Sequence, residues 1–515
     1  MPNRPLITAF SYCCIVLFFL ANVFYLDSCT SGNNKVKDAE TLEGERLVKK
    51  YCTSCHVSVS PDLLSKDIWE KNVLPAMGKK MGISTWSGQY FQEDLHSGIS
   101  IVDWQKIVDY FVKNSPRELA VNKSIKPLVG NDFSIERPVV FDTSNVASTT
   151  MVKFNASQST FYTADILSQS LYIWDSNLKL LTKQAFESPV VDVSFLNDES
   201  SKQREDLITC IGVINPVDIP RGKILKVPDG NLEAFTTLAE TLPRPVNSLT
   251  ADFNRDGLTD IVVCGFGNTI GGLYLLKQTK DKKYSKTILA SRAGATKAAI
   301  GDYNKDGWPD IMCLFAQEDE GIWMYLNDQN GGFKSINLLR FPPVYGSSSF
   351  QLADFNKDGF EDILYTAGDN SDFSRILKPY HGIYIFTNNG KNQFKETFFY
   401  PVNGCTKAIA TDFNQDGKLD LATIAFFSDF KNNPQESFMY LMQNKSDQFT
   451  AYTLPVEKMG KWICMDINDF NKDGYPDVIL GNFSIEGFNQ EGVKTSWDNK
   501  TPFIVLKNQF KESVN

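Results

Sequence analysis

Hydrophobic residues follow three different patterns along this chain, and each pattern predicts a different kind of element. A continuous apolar run covers residues 10–26. Residues 41–51 and 101–114 place apolar side chains at helical spacing, which predicts two amphipathic helices, the second ending at Ser115 and Pro116. From about residue 136 onwards the apolar runs are short and separated by turn residues. This last pattern predicts a long all-β region.

The first apolar run has the layout of an export signal. Arg4 precedes the run, and Cys29 follows it in the sequence Leu-Asp-Ser-Cys, which resembles a bacterial lipoprotein cleavage box. We interpret residues 1–29 as a signal peptide with lipid attachment at Cys29, and residues 30–38 as a polar tether. Ordinary cleavage and an uncleaved anchor helix are the alternatives. All three export the remainder, to the periplasm or the cell surface.

The β region contains five near-copies of one nonapeptide. The copies read DFNRDGLTD, DYNKDGWPD, DFNKDGFED, DFNQDGKLD and DFNKDGYPD, and they begin at residues 252, 302, 354, 412 and 469. Strand-like apolar runs flank each copy, and four strands per repeat predict one blade of a β-propeller. Residues 191–197 and 152–155 keep the strand pattern of the repeat but lack the metal-ligand residues. Five intact and two degraded repeats predict seven blades, with six or eight as alternatives. Ring closure is predicted to pair residues 138–141 with residues 503–506.

Each nonapeptide places oxygen-bearing side chains at its first, third, fifth and ninth positions. Such oxygens can converge on one hard cation, and their number favours calcium, while glycine at the sixth position allows the sharp turn. The twelfth-position glutamate of an EF-hand is missing. A metal-free Asp/Asn/Gly turn is the alternative. The predicted structural calcium ligands are Asp252, Asn254, Asp256, Asp260, Asp302, Asn304, Asp306, Asp310, Asp354, Asn356, Asp358, Asp362, Asp412, Asn414, Asp416, Asp420, Asp469, Asn471, Asp473 and Asp477.

The nonapeptide and its period resemble the FG-GAP repeats, also called VCBS-type repeats, of integrin-like propellers. The resemblance covers most of residues 240–512. It implies a calcium-stabilised propeller that docks a partner or binds a ligand, and propellers of this type also occur in lectins and polysaccharide lyases.

A second motif, Cys52-Thr53-Ser54-Cys55-His56, lies just after the first predicted helix. It reads C-x-x-C-H, the attachment signature of a c-type haem, in which the two thiols bond the porphyrin and His56 ligates the iron. A zinc half-site and a chance match are the alternatives, but a zinc site would need a second Cys/His pair nearby, and none follows. Export agrees with this prediction because c-type haem is attached outside the cytoplasm.

Residues 39–118 resemble a small class I cytochrome c. One predicted helix leads directly into C-x-x-C-H, and a helix rich in aromatic residues ends the segment. The resemblance implies a second axial ligand downstream of the haem motif, usually methionine. Met77 follows Pro75 in a loop-like setting and is the preferred candidate, with Met81 and His96 as alternatives.

Composition narrows the function classes. The chain has 515 residues, of which 42% are hydrophobic, so it has room for two or more domains with real cores. A net charge of −9 argues against nucleic acid as a partner. The cysteines of the β region number five, each in an apolar run, and are predicted to be buried free thiols; they are Cys210, Cys264, Cys313, Cys405 and Cys464.

The predicted fold is therefore multidomain, a small all-α cytochrome c domain at 39–118 and an all-β propeller at 136–512, joined by a linker at 119–135. Lys297 and Lys407 occupy equivalent places, predicted at the mouth of the central channel, where they either hold a small anionic group or line the channel as solvated residues. Trp308, Tyr475 and Trp497 either suit carbohydrate stacking or pack between blades.

The preferred function is an exported c-type cytochrome that relays single electrons to a redox partner protein or a membrane electron-transport component. One alternative is a haem-coupled oxidoreductase with its substrate site in the propeller. The other is a glycan-binding or glycan-cleaving surface protein. No catalytic set of side chains is recognisable, so the sequence leaves enzymatic activity open.

Overall fold

The computed structural model describes residues 38–86, 89–92, 98–120, 126–139, 145–197, 204–228, 230–371, 375–445, 448–486, 493–494 and 496–510. The predicted signal peptide with Cys29, and the alternative haem ligand His96, lie outside these ranges. Within them, no helix is both long enough and apolar enough to span a bilayer.

The N-terminal domain is helical. Its described helices are α1 (Ala39–Tyr51), α2 (Lys66–Ile68), α3 (Leu74–Lys80) and α4 (Ile101–Asn114), and a small antiparallel pair, β1 (Ile83–Trp86) with β2 (Gln89–Gln92), separates α3 from α4. The two predicted amphipathic helices, α1 and α4, are confirmed. Each begins at a side-chain cap, because Asp38 accepts a hydrogen bond from the Thr41 amide at 2.8 Å and Ser100 accepts one from the Asp103 amide at 3.1 Å.

Helices α1 and α4 pack closely against each other at Gly44. A Cβ atom added there would lie 2.3 Å from the Cβ of Tyr110, so the two backbones approach to a distance that only glycine permits. Leu47 of α1 joins Trp104 and Phe111 of α4 in one buried cluster. Apolar burial in this cluster holds the domain together.

The β region folds into seven blades of four antiparallel strands, which confirms the predicted count. Blades 1 to 4 consist of β5–β8 (Thr149–Asn155, Thr160–Asp165, Ser170–Asp175, Leu180–Ala185), β9–β12 (Val190–Asn197, Arg204–Cys210, Gly222–Pro228, Thr236–Leu242), β13–β16 (Pro245–Ala251, Asp260–Gly265, Gly272–Gln278, Tyr284–Ala290) and β17–β20 (Ala295–Gly301, Asp310–Phe315, Gly321–Asn327, Phe333–Arg340). Blades 5 to 7 consist of β21–β24 (Ser347–Ala353, Asp362–Ala367, Gly382–Asn388, Phe394–Pro401), β25–β28 (Cys405–Thr411, Asp420–Ala425, Phe438–Lys445, Gln448–Thr453) and β29–β31 (Trp462–Asn468, Asp477–Asn482, Phe503–Asn508) with β4 (Phe133–Glu136).

The first strands of consecutive blades contact one another around a closed ring, so they line the central channel. The second strand of each of blades 3 to 7 is buried at every residue, as expected where a strand is covered on both faces. The predicted free thiols are confirmed, with Cys210, Cys264, Cys313 and Cys405 buried and Cys464 half-buried.

Ring closure uses a segment upstream of the predicted one. Strand β4 pairs antiparallel with β31, from Glu136 opposite Val505 to Phe133 opposite Asn508, whereas residues 138–139 lie in no strand. Just before it, β3 (Leu128–Val129) pairs in parallel with β28 on the outer edge of blade 6. The predicted linker at 119–135 is therefore wrong in its second half, because residues 128–136 already belong to the propeller. The shortness of these edge strands explains why apolar periodicity did not reveal them.

Candidate functional site

The C-x-x-C-H motif forms a single tight turn at the end of α1. Residues Cys52–Ser54 adopt a 3₁₀ turn, and the Cys55 amide donates to the Cys52 carbonyl at 3.5 Å. Cys55 is exposed, whereas Cys52 is half-buried and packs against the helical core. Burial, with a smaller contribution from Cys55, raises the pKa of the Cys52 thiol to about 11. Both sulfurs lie on the same turn, and the raised pKa keeps the Cys52 sulfur protonated at neutral pH.

The His56 imidazole is positioned by its own chain. Nδ1 lies 2.8 Å from the Val57 carbonyl oxygen, a distance at which a protonated Nδ1 donates a hydrogen bond. In that tautomer Nε2 keeps its lone pair and can ligate a metal, the arrangement commonly found for metal-bound histidine.

Met77 lies in a helix rather than in the loop-like setting predicted from the sequence. Met77 is in the middle of α3 and Met81 is its C-cap, and both pack against the same core as Cys52. The loop expectation was wrong because Pro75 stands in the first turn of α3, where proline is well tolerated. The choice between Met77 and Met81 as iron ligand stays a prediction.

A buried indole near these methionines fits a prosthetic group. Trp104 is 1% exposed, yet its Nε1–H has no acceptor within the part of the chain that the structure describes. The same indole lies against Gly78, where an added Cβ would approach its Cζ2 to 3.0 Å. Because a buried N–H normally finds a partner, this orphan donor, together with the thiol pair and the imidazole, fits a bound haem that offers an acceptor.

The aspartate loops are organised by backbone amides. In the loop of blade 4, Asp302 accepts from the amides of Asp306 at 3.0 Å and Gly307 at 2.7 Å, and Asp306 accepts from the Trp308 amide at 2.8 Å. Asn304 donates from Nδ2 to Asp306 Oδ2 at 2.9 Å. The other four loops repeat this network.

The glycine at the sixth position has a conformational reason. Gly307 has a φ of 86°, and the preceding Lys305 has a φ of 61°, so the turn runs through the left-handed region twice. Glycine adopts that region without cost, whereas a side chain there is strained. The sequence therefore fixes the turn that gathers the carboxylates.

The ninth-position aspartates have a role that sequence reasoning missed. Asp310 is fully buried and accepts two backbone bonds, from Tyr303 at 3.0 Å and from Asn327, at the end of the third strand, at 2.8 Å. Burial raises the pKa of all five, to about 7 for Asp420 and to about 6 for Asp477. Backbone amides therefore hold both oxygens of the ninth-position carboxylate, as they do for the first-position Asp302, and its place among the predicted calcium ligands stays a prediction.

The donor chemistry of the loops fits a hard cation. Among the described residues, His, Cys, Asp and Glu side chains form no cluster of three or more that could hold a metal by themselves. Each loop nevertheless combines two carboxylates that are at least partly exposed with an amide oxygen on one turn, and a carboxylate oxygen that accepts one hydrogen bond keeps a second lone pair. Calcium in these loops stays a prediction.

Fourth-position side chains connect successive loops, and this link was not predicted. Arg255 donates to the carbonyl of Gly307 in the next blade, and its guanidinium lies 4.4 Å from the centre of the Trp308 ring. Gln415 donates to the Gly474 carbonyl at 2.7 Å. Trp308 therefore packs between blades, as does the buried Trp497 against Phe430, and sugar stacking is not favoured at either position.

The helical domain contacts blade 5. Tyr380 Oη donates to the Leu63 carbonyl at 2.9 Å, and Val344 and Ile376 pack against the helical core. This interface was not foreseen, because nothing in local sequence pairs residues so far apart in the chain.

Comparisons with known proteins agree with this propeller. The FG-GAP-like repeat family matches residues 252–313 and 313–365. A segment of 131 residues is 29% identical to Integrin alpha-7 of Homo sapiens, and a segment of 129 residues is 28% identical to Integrin alpha-3 of Mus musculus. The first match covers 22% of this chain and 11% of the integrin, and the second covers 21% and 12%. This chain therefore matches only a small part of each integrin.

Similar solved structures are distant. A chain of the S. cerevisiae complex containing Dbp5, Nup159 and Gle1 aligns with a TM-score of 0.44 at 13% identity, covering 75% of this chain and 98% of that one. The calcium-binding protein regucalcin from Agrobacterium tumefaciens aligns with a TM-score of 0.37 at 11% identity, covering 61% of this chain and 95% of regucalcin.

Proposed function

We propose that this protein is an exported, lipid-anchored c-type cytochrome that relays single electrons and uses its FG-GAP-type propeller to dock a partner or ligand. The observation that carries the proposal is the turn at the end of α1. It presents Cys52, Cys55 and His56 together, beside a crossing of α1 and α4 that is tight enough to require Gly44. A bound haem would supply reversible one-electron chemistry at this turn.

The residues of the helical domain have distinct tasks in this proposal. The thiols of Cys52 and Cys55 would hold a haem covalently through its two vinyl groups. His56 offers Nε2 while its Nδ1–H is held by the Val57 carbonyl. Met77 would be the preferred second iron ligand, with Met81 and His96 as alternatives. The Trp104 indole N–H offers a donor within the core of the helical domain.

In this proposal the propeller binds the partner protein or ligand. Its repeats are similar to segments of integrins, and FG-GAP-type repeats support the docking of a protein or a ligand. Calcium bound by the first, third, fifth and ninth residues of each loop would neutralise neighbouring carboxylates and stabilise the blades. The docked partner is proposed to be a redox protein or a membrane electron-transport component.

The decisive experiment is covalent haem staining of the full chain expressed with an export pathway that attaches haem. Cys52→Ala with Cys55→Ala should lose the stain, whereas Cys464→Ala, a cysteine of the propeller, should keep it. Stain that survives the double substitution would overturn the attachment site. A visible spectrum then separates the functions, because reduction by an added alcohol or sugar alone would indicate a dehydrogenase rather than an electron carrier.

Lipid attachment has its own test. Cys29→Ala should abolish incorporation of labelled palmitate and release the protein from the membrane fraction. Unchanged labelling would contradict anchoring at Cys29 without affecting the haem assignment.

A further inference from the structure

The channel of the propeller contains charged side chains at two adjacent levels. Three of them follow directly after the register shift near the start of the inner strand, which is the first strand of a blade. They are Lys297 opposite Leu314, Lys407 opposite Ile424, and Asp192 opposite Thr209. Lys153 and Asp466 lie two residues further along the inner strands of blades 1 and 7. Blades 1, 2, 4, 6 and 7 thus supply three cations and two anions to the channel. Of these five residues, only Lys297 and Lys407 are recognisable from their equivalent places in the repeats.

Three of these five groups are already bound to a neighbouring inner strand. Asp192 Oδ2 accepts from Asn247 Nδ2 at 2.8 Å, and Asp466 Oδ2 accepts from the Phe154 amide at 2.7 Å. Lys407 Nζ donates to the Met465 carbonyl at 2.7 Å. These contacts join neighbouring blades, which gives Asp192, Asp466 and Lys407 a structural role.

Lys153 and Lys297 differ from the other three. Both are half-buried in the channel, and across the residues that the structure describes neither ammonium group has a hydrogen bond or an ion pair. An ammonium group that is removed from bulk water without a hydrogen bond lowers the stability of the fold unless nearby carboxylates offset its burial. Three lysines against two aspartates also leave the channel with an excess positive charge.

The pKa values of these lysines reflect burial first and the charges of their neighbours second. Burial, and then the charges of Lys407 and Lys153, lower the pKa of Lys297 to about 7, against the opposing attraction of Asp192 and Asp466. Burial also lowers the pKa of Lys407. Lys153 has a raised pKa because Asp192 and Asp466 outweigh its burial. An anion that entered the channel would relieve this repulsion and raise the pKa of Lys297.

We propose that the central channel is a binding site for a small oxyanion, a phosphate or carboxylate group held by the ammonium groups of Lys153 and Lys297 with Lys407 beside them. Charge-assisted hydrogen bonds to the two unpaired ammonium groups supply the affinity. The aspartates limit the net positive charge, so the site favours a ligand with one or two negative charges over a polyanion. The site is independent of the haem and of the aspartate loops, which lie beyond the other end of the inner strands.

The test is isothermal titration of the full chain with two probes, sulfate as a tetrahedral oxyanion and succinate as a carboxylate. Binding of either probe is expected, and the stronger one identifies the ligand chemistry. Lys297→Met should weaken binding by about tenfold or more, because a charged hydrogen bond is lost. Lys334→Met, an exposed lysine on the outer strand of the same blade, should bind as the wild type does.

Sulfate stabilises folded proteins in general, so only the difference between the variants is decisive in a thermal-shift version of the experiment. Sulfate keeps its charge between about pH 6 and 8.5, so tighter binding at the lower pH would report protonation of Lys297 rather than of the probe. Absence of binding of both probes to the wild type would overturn the proposal. Equal binding by Lys297→Met and the wild type would also overturn it.

Discussion

The hydroxyl of Tyr380 donates a hydrogen bond to the carbonyl oxygen of Leu63 across 2.9 Å, joining two residues that are 317 positions apart. Tyr380 also stacks on Tyr345, with ring centres 4.6 Å apart and planes 11° from parallel. Val344 and Ile376 complete the contact with the helical core. The helical domain is therefore held against one blade by apolar and polar contacts.

This contact lies on a defined face of the propeller. Tyr380 lies between β22 and β23, and Val344 just precedes β21, so both are at the end where the inner strands begin. The aspartate loops connect the first strand of a blade to its second and lie at the opposite end. The haem motif and the channel lysines, which are near the start of their strands, are thus on the same side of the molecule.

Removing the Tyr380 hydroxyl should loosen the two domains. Tyr380→Phe keeps the stacking on Tyr345 but loses the bond to Leu63, at a cost of about 1 kcal/mol. Hydrogen exchange of residues 61–65 should become faster. Tyr303→Phe is the matched control, because the buried Tyr303 hydroxyl has no partner among the described residues. Equal exchange in both variants would mean that the interface does not depend on this bond.

Gly44 should be essential for the helical domain. A methyl group at Gly44 would collide with Tyr110, so Gly44→Ala should separate α1 from α4 and destabilise the domain by about 1–3 kcal/mol. Covalent haem yield and the near-ultraviolet circular dichroism should both decrease. Gly98→Ala serves as the control, since an added Cβ there meets nothing within 4 Å. Normal haem yield in Gly44→Ala would contradict the role of the crossing.

Removal of divalent cations should destabilise the propeller. Chelation with EDTA should lower the melting temperature, because the first and fifth carboxylates of each loop then repel one another. Asp306→Asn removes one ligand of the blade 4 loop and should reduce the size of this shift. Asp328→Asn changes an aspartate that only caps a nearby turn, accepting from the amides of Asn330 and Gly332, and should leave the shift unchanged. A wild-type melting temperature that EDTA leaves unchanged would count against bound calcium.

The buried Glu320 should make stability depend on pH. It is 2% exposed, and burial raises its pKa to about 8, although Ser347 donates to it from both its amide and its hydroxyl. A carboxyl whose folded pKa is raised holds its proton more tightly in the folded state. Its contribution is therefore present at low pH and is lost as the pH rises from its unfolded pKa of about 4.5 towards 8.

Glu320→Gln retains an oxygen acceptor for Ser347 and has no proton to lose. The wild type should lose on the order of a few kcal/mol of unfolding free energy between about pH 5 and 8 through this group, and the variant should lose less. Urea unfolding at both pH values measures the difference. Parallel pH profiles for the two proteins would show that Glu320 is not the titrating group.

Much of the propeller could be predicted because its blades are specified locally. The five nonapeptides place Asp, Asn and Gly at fixed positions, and the turn they form is the same in every copy. Apolar runs on either side gave the strands, and the two degraded copies were recognisable by the same frame. The closing strand was misplaced because β4 is a short edge strand, in which the burial signal is weak.

The helical domain was predictable to a similar extent. Apolar spacing gave α1 and α4, and C-x-x-C-H gave the candidate haem site without any knowledge of the fold. Met77 was assigned to a loop because Pro75 suggested a break, whereas its position in the first turn of α3 is compatible with the helix. The length of α3 could not be predicted from the sequence around Pro75 alone.

The sequence by itself determined most elements of this protein, the seven-fold repeat, the composition of the aspartate loops and the thiol–imidazole turn, because each depends on residues that are close together in the chain. Only the tertiary structure decided which distant side chains meet. It brought Lys153 into the channel with Lys297, turned the ninth aspartates towards backbone amides, linked Arg255 to the next loop and placed Tyr380 against Leu63. These contacts depend on how strands from different blades and domains pack, and local patterns carry no information about that packing.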